Sequence, residues 1–299
     1  MKTLLLIFTA SLFVSAAIAL KPEKKSQAFV QKISPELRQK FALKDHYQKV
    51  VLLDTFPIVG SELVEDASLL EASQVIASML KNRPDILREL ASNQVRYSVM
   101  ATSERTCDLP EHSDLTPSAY WNRRARGLGA TKERPAVSCG EENLLHHPGD
   151  PYNTESICVH EFSHAIHQMA LSTLDPTFDQ RLKKTYRTAI AQGLWVGKYA
   201  GSNHYEYWAE AVQSWFGTNR ENDREHNHVN TRQELIDYDP AVARLCEEVF
   251  GDNDWQYVRA DDPSRANEHH LKNLDRSKLQ TFSWTPKELA DYEKVQRDR

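Results

Sequence analysis

The chain has 299 residues, a formal net charge of -5 and a composition ordinary for a globular protein, 40% hydrophobic and 26% charged. A mild acidic excess argues against a nucleic-acid or anionic-membrane partner. The length suffices for a sizeable core, in one large or two small domains.

Residues 1–19 open with Met1-Lys2-Thr3, run through an apolar stretch and close on Ala17-Ile18-Ala19, which reads as a secretory signal peptide cut before Leu20. The run is short for a membrane span and is interrupted by Thr9, Ser11 and Ser15. The expectation is therefore a secreted, extracellular protein. In an oxidising compartment, Cys107, Cys139, Cys158 and Cys246 suggest two disulfides. Three pairings are open, with Cys107–Cys139 and Cys158–Cys246 preferred; a rival reading makes Cys107 an inhibitory ligand in a latent enzyme.

Residues 20–60 read as a charged lead-in or a possible pro-segment, broken by Pro22 and Pro35. Apolar positions recur at helical spacing over 62–80, and Pro84 opens a second short helix through Leu90. Val95, Tyr97 and Val99 alternate with Arg96 and Ser98 as in a strand. Turn formers dominate 103–132, a predicted loop in which Tyr120 and Trp121 serve packing. Pro135 to Ser138 reads as a short edge strand ended by Cys139-Gly140. His146 and His147 sit on a following loop, where neighbouring histidines are expected to face solvent.

The next stretch, Cys158-Val159-His160-Glu161-Phe162-Ser163-His164, carries the chemistry. In a predicted helix from 154 or 156 to 171, His160 and His164 lie one turn apart on one face, so both imidazoles can reach one metal ion. This is the H-E-x-x-H arrangement, two histidines for zinc with a glutamate as proton acceptor. A charged amphipathic helix follows over 179–192, and then 203–216, a helix placing Glu206 and Glu210 on one face. Two like charges at that spacing repel unless a cation answers them; a zinc ion would. Shorter helices are expected at 234–236 and 242–250, and 251–299 reads as a polar, partly ordered C-terminal extension.

The third ligand separates the zinc peptidase classes. His167 and Ala170 stand where the metzincin pattern has glycine and histidine, which rejects that class. With a glutamate on a later helix the chain resembles the gluzincins, and in particular the catalytic domain of anthrax lethal factor and its relatives. The likeness is carried by His160-Glu161-Phe162-Ser163-His164, by Tyr199 seven residues ahead of Glu206, and by Tyr207-Trp208-Ala209-Glu210-Ala211, with Ser163 in place of a glycine. It covers roughly 157–216. The resemblance implies that His160, His164 and Glu206 bind one zinc ion, that Glu161 is the catalytic base, that Tyr199 donates to the developing oxyanion, and that Glu210 is an outer carboxylate. It implies an α+β, zincin-like domain over 61–250, helix-rich with a small mixed sheet, that hydrolyses peptide or protein substrates. Two alternatives stay open: a zinc-stabilised binding or toxin-like module without turnover, and a zinc amidase on non-protein substrates. An extended substrate is expected to pair with the edge strand near 135–139.

Overall fold

The computed structural model describes residues 28–298. The signal-peptide reading of residues 1–19 lies outside them. The architecture is α+β, helix-rich around one small mixed sheet. In chain order the described elements are β1 (Gln31–Lys32), α1 (Pro35–Lys40), β2 (Lys49–Leu53), β3 (Phe56–Gly60), α2 (Asp66–Met79), α3 (Pro84–Ser92), β4 (Arg96–Met100), α4 (Ser118–Arg124), β5 (Gly127–Leu128), β6 (Ala136–Gly140), α5 (Glu141–Leu145), α6 (Ile157–Ala165), α7 (Ser172–Leu174), α8 (Phe178–Ala191), α9 (His204–Phe216), α10 (Arg232–Tyr238), α11 (Pro240–Phe250) and α12 (Pro286–Arg297).

The sheet order is β1-β2-β3-β4-β6-β5. β1, β2 and β3 form an antiparallel meander, β3, β4 and β6 are parallel, and β5 returns antiparallel to β6. α2 and α3 supply the crossover that a parallel β3–β4 pair requires. Residues 28–60, read as a lead-in, thus contribute three strands and bury Phe41, Tyr47, Val50, Val51, Phe56, Ile58 and Val59 in the main core. α2, α3 and α6 pack on the sheet, and α9 packs on the far side of α6.

β6 is the site of a correction: the predicted edge strand lies inside the sheet, between β4 and β5. Its residues are all buried, and so are those of β4, because both faces are covered. The polar half of the β4 alternation is paired rather than solvated: Arg96 meets Glu111 at 2.9 Å, and Ser98 bonds the Tyr47 hydroxyl at 2.9 Å. The edge on that side of the sheet is β5, which falls in the stretch read as a loop. Two glycines explain both the misreading and the geometry. A Cβ on Gly127 would stand 2.4 Å from Ile157 Cγ2 and one on Gly129 would stand 2.7 Å from His164 Cβ, so only glycine lets this strand lie against α6.

The C-terminal stretch is ordered beyond expectation. Arg265 forks onto the buried Glu71 carboxylate of α2 at 2.7 and 2.8 Å, and Asn253 donates to the Ser78 and Met79 carbonyls. α12 packs on α4, where Tyr292 stacks on Tyr120 with ring centroids 6.0 Å apart. A polar composition hid this because the anchors are ion pairs and single rings, which leave no hydrophobic periodicity.

The disulfide expectation is also corrected: all four cysteines are free thiols. Cys139 and Cys158 are buried beside the Tyr97 phenol, and Cys246 is buried in α11. Cys107 Sγ lies against the Leu115 and Ser118 carbonyls, away from the imidazoles, which also disposes of its reading as a metal ligand.

Candidate active site

α6 begins at Ser156, whose hydroxyl accepts from the Val159 amide at 3.3 Å and so satisfies one of the open amides of the first turn. His160 and His164 then project from one face and are buried, 6% and 7% exposed. α9 begins at Asn203, whose side-chain oxygen accepts from the amides of Tyr205 and Glu206 at 2.9 and 3.1 Å. This cap sets Glu206 in the first turn, facing α6. The α9 helix stops at Gly217, in the left-handed region at φ 72° that favours glycine. Trp208 Nε1 donates to the Ser163 carbonyl at 3.0 Å and fixes how the two helices lie against each other.

The result is a triangle. His160 Nε2 is 3.1 Å from Glu206 Oε2 and 3.2 Å from His164 Nε2, and His164 Nε2 is 3.4 Å from Glu206 Oε2. A tetrahedral zinc with bonds of about 2.0–2.1 Å separates neighbouring ligand atoms by about 3.3 Å, so the edges fit that ion. The hydrogen-bond logic agrees. Gln213 donates its amide NH2 to Glu155 Oε2 and the Ser156 carbonyl, both at 3.3 Å, which turns its Oε1 toward His160 Nδ1 at 2.7 Å. His160 Nδ1 must then carry hydrogen, leaving the lone pair on Nε2 pointed at another imidazole and a carboxylate. In that tautomer His160 Nε2 is free to serve as a ligand atom toward the same point as His164 Nε2 and Glu206 Oε2.

Electrostatics points the same way. Burial would lower His160, but the Glu206 hydrogen bond and the charges of Glu161 and Glu210 carry it up to about 10. Burial would raise Glu206, yet the hydrogen bonds from His160 and His164 hold it well below the usual carboxylate range. Burial pushes the Glu161 carboxyl up against the pull of both histidines, a shift in the direction that suits a proton acceptor. His160, Glu161 and His164 each offer a ligand atom within 4.8 Å of the others.

Glu210, expected behind the site, stands there at one remove: its Oε1 is 3.5 Å from His160 Nδ1 while Gln213 makes the close contact. The other Glu210 oxygen faces His226 Nε2 at 3.2 Å and Asn219 Nδ2 at 3.1 Å, and Asp223 holds His226 Nδ1 at 2.9 Å. Glu155, Glu210 and His226 therefore form a second compact group with metal-ligating atoms. A fixed cation already serves it, since Arg220 Nε lies 3.3 Å from Glu155 and 3.4 Å from Asp223. Arg265 does the same for the group Glu71, Glu268 and His270.

A groove crosses the triangle. One cavity of 280 Å³ extends over the N-terminal end of α6, toward Glu155, Arg220 and His226. Another of 320 Å³ extends over its C-terminal end, toward Tyr120, Trp121 and Gln168. His160, Glu161, Tyr199, Arg124 and Gly127 line both. Tyr199 opens a 3-10 turn whose amide donates to the Glu225 carbonyl at 2.8 Å, so the 223–226 loop positions it. Its ring lies 6.2 Å from that of His160, centroid to centroid. Burial and the charge of Glu206 push its hydroxyl up, and Arg124 pulls the other way.

Of the predicted site residues, His160, Glu161, His164, Tyr199 and Glu206 meet at this groove. His146 and His147 stay out of it but are not solvated. His147 is 4% exposed and bonded to Thr102 and the Gln280 carbonyl, and His146 bonds the Tyr257 hydroxyl. His167 turns away toward Asp179 from a π-helical turn, Ile166–Leu171, and burial lowers it to about 4. Gln213, His226 and Arg124 were not legible as site residues. Gln213 lies one α-helical stride of seven from Glu206, a spacing that places it on the α6-facing side; His226 and Arg124 come from segments with no periodic signal.

The chain is thus an α+β protein with a histidine-histidine-carboxylate triangle shared between two packed helices. No family profile matches it, and no curated protein does. Among solved structures it is similar to the PRO-PRO endopeptidase PPEP-2 from Paenibacillus alvei, with 18% identity and a TM-score of 0.39 over 66% of this chain and 98% of that one.

Proposed function

We propose that the protein is a zinc-dependent metallopeptidase of the zincin-like, gluzincin type that hydrolyses peptide bonds within peptide or protein substrates. The observation that carries this reading is the triangle of His160 Nε2, His164 Nε2 and Glu206 Oε2, with edges of 3.1 to 3.4 Å and Glu161 beside it. Those three residues would hold one zinc ion. When bound, zinc supplies a Lewis acid that polarises a carbonyl and makes a nearby water more acidic. Three protein ligands leave it an open position.

The remaining chemistry belongs to the chain's own side chains. Glu161 takes the proton of the attacking water and passes it to the leaving amine as the peptide bond breaks. Tyr199 donates its O–H to the carbonyl oxygen as negative charge gathers there, which lowers the barrier more than it strengthens binding. β5 carries a free edge beside the groove, so an extended substrate can add to it as a further strand. This transfers the edge role from the β6 region to Gly127–Leu128. The N-terminal pattern of residues 1–19 supports a secreted protein in this reading.

Elemental analysis combined with a peptide-library cleavage screen tests it. The reading expects one zinc per chain, cleavage of internal peptide bonds, and a loss of about 10²-fold or more in turnover for Glu161→Gln with zinc retained. Zinc binding without cleavage of any peptide, and with Glu161→Gln indistinguishable, would instead mark a non-catalytic zinc module.

A further inference from the structure

One wall of the groove is carried by α4, a seven-residue helix none of whose side chains is buried. Tyr120 and Trp121 of its first turn line the second cavity, and Arg124 at its end lines both. A helix that buries no side chain gains little of the apolar burial that holds other elements in place, so what stands behind it fixes the wall. Behind it stands α12, from the far end of the chain, which likewise has no buried side chain.

Rings make the contacts between the two helices. Tyr292 stacks on Tyr120 with an interplanar angle of 16°, and Tyr120 meets Trp121 edge to face at 5.5 Å between centroids. Trp284, just ahead of α12, donates its Nε1 hydrogen to the Asn122 carbonyl at 3.1 Å, and the Arg123 guanidinium lies 4.0 Å over its ring. α12 is in turn moored to the body. Glu288 forms a forked pair with Arg105, at 2.6 and 3.2 Å, and the buried Phe282 donates its amide hydrogen to the Pro148 carbonyl at 2.8 Å. The cavity linings include neither Trp284 nor Tyr292.

We propose that Tyr292 and Trp284 are positioning residues for substrate binding: through them α12 holds α4 in place as the wall against which an extended peptide lies along the C-terminal end of α6. The three residues of the triangle, Glu161 and Tyr199 are set instead by α6, α9 and the 223–226 loop. The clamp therefore acts on how tightly the peptide is held and not on the step that breaks it. The inference rests on the peptidase reading above.

The test uses the zinc-loaded full chain with a quenched-fluorescent peptide that the wild type selects from a mixed library, and with the same peptide shortened residue by residue from each end. The variants are Y292A, Y292F and W284A. Y292A and W284A are expected to raise KM for the full peptide by about five- to tenfold with kcat within about twofold, the signature of lost binding shared by ground and transition states. Y292F keeps the stacked ring and stays within about twofold of wild type. Shortening the peptide from the end that reaches α4 abolishes the difference, so that variants and wild type cleave the short peptide equally; shortening from the other end leaves it. Equal cleavage of the short peptide also shows that the variants are folded and hold zinc. An unchanged KM in both Y292A and W284A overturns the inference, and so does a loss that is the same for every peptide length. Either result leaves the peptidase reading intact, whereas a wild type that cleaves no peptide overturns both.

Discussion

Replacing Gln213 with leucine should weaken zinc binding without touching a ligand. Gln213 is fully buried, and its Oε1 accepts from His160 Nδ1 at 2.7 Å. Two further bonds, to Glu155 and to the Ser156 carbonyl, prevent its amide from flipping. With leucine in place the Nδ1 hydrogen keeps only Glu210 Oε1, at 3.5 Å, which is too long for a good bond. The imidazole then loses both its fixed orientation and the push that makes Nε2 a better ligand. Loss of such an outer partner costs about 10–100-fold in metal affinity, or about 1.4–2.7 kcal/mol. Competition against a chromophoric chelator measures it, with circular dichroism to verify the fold. A leucine variant whose zinc affinity stays within about twofold of wild type would refute the tautomer argument.

Further outcomes follow from the same geometry. Gly129→Val should lower zinc affinity by about tenfold or more in the same competition assay, because its Cβ would meet His164 Cβ at 2.7 Å and neither atom is the end of a flexible chain; wild-type affinity would show that the segment just after β5 yields instead. Arg126→Met should cost about 3–5 kcal/mol in urea unfolding, since it strands the wholly buried Glu142 carboxylate, and a loss below about 1 kcal/mol would contradict this. Burial pushes Asp150 up to about 6. A carboxyl whose folded pKa is raised favours the folded state below its unfolded value, about 3.9, and that contribution is lost as pH rises through about 6. Unfolding free energies of Asp150→Asn and wild type should therefore diverge in the variant's favour by up to about 3 kcal/mol between about pH 4 and pH 7. A constant difference would show that Asp150 titrates normally.

The residues that meet at the groove were legible where their spacing is local. His160 and His164 sit one turn apart within one helix, and Glu206 and Glu210 within another, so helical geometry alone put each pair on a face. What joins the two helices is not local. The Trp208–Ser163 hydrogen bond and the Asn203 cap set how α9 meets α6, and neither leaves a pattern that sequence periodicity detects. Gln213 carries no charge to mark it, yet its amide, fixed by two donor bonds, makes the close contact with His160 Nδ1 while Glu210 stands at 3.5 Å. β5 was invisible because glycines weaken a strand signal where close approach to His164 demands them. The cysteines differ for another reason: an even count in an oxidising compartment suggests pairs, but three of the four are buried in the core as small apolar groups.

The central claim is that two imidazoles of α6 and one carboxylate of α9 close on the same ion. X-ray absorption at the zinc edge of the loaded protein tests it most directly. The account predicts one zinc per chain, with two imidazole nitrogens and a carboxylate oxygen at about 2.0–2.2 Å, and a first shell that loses its protein oxygen in Glu206→Ala. A spectrum unchanged by that substitution would contradict it.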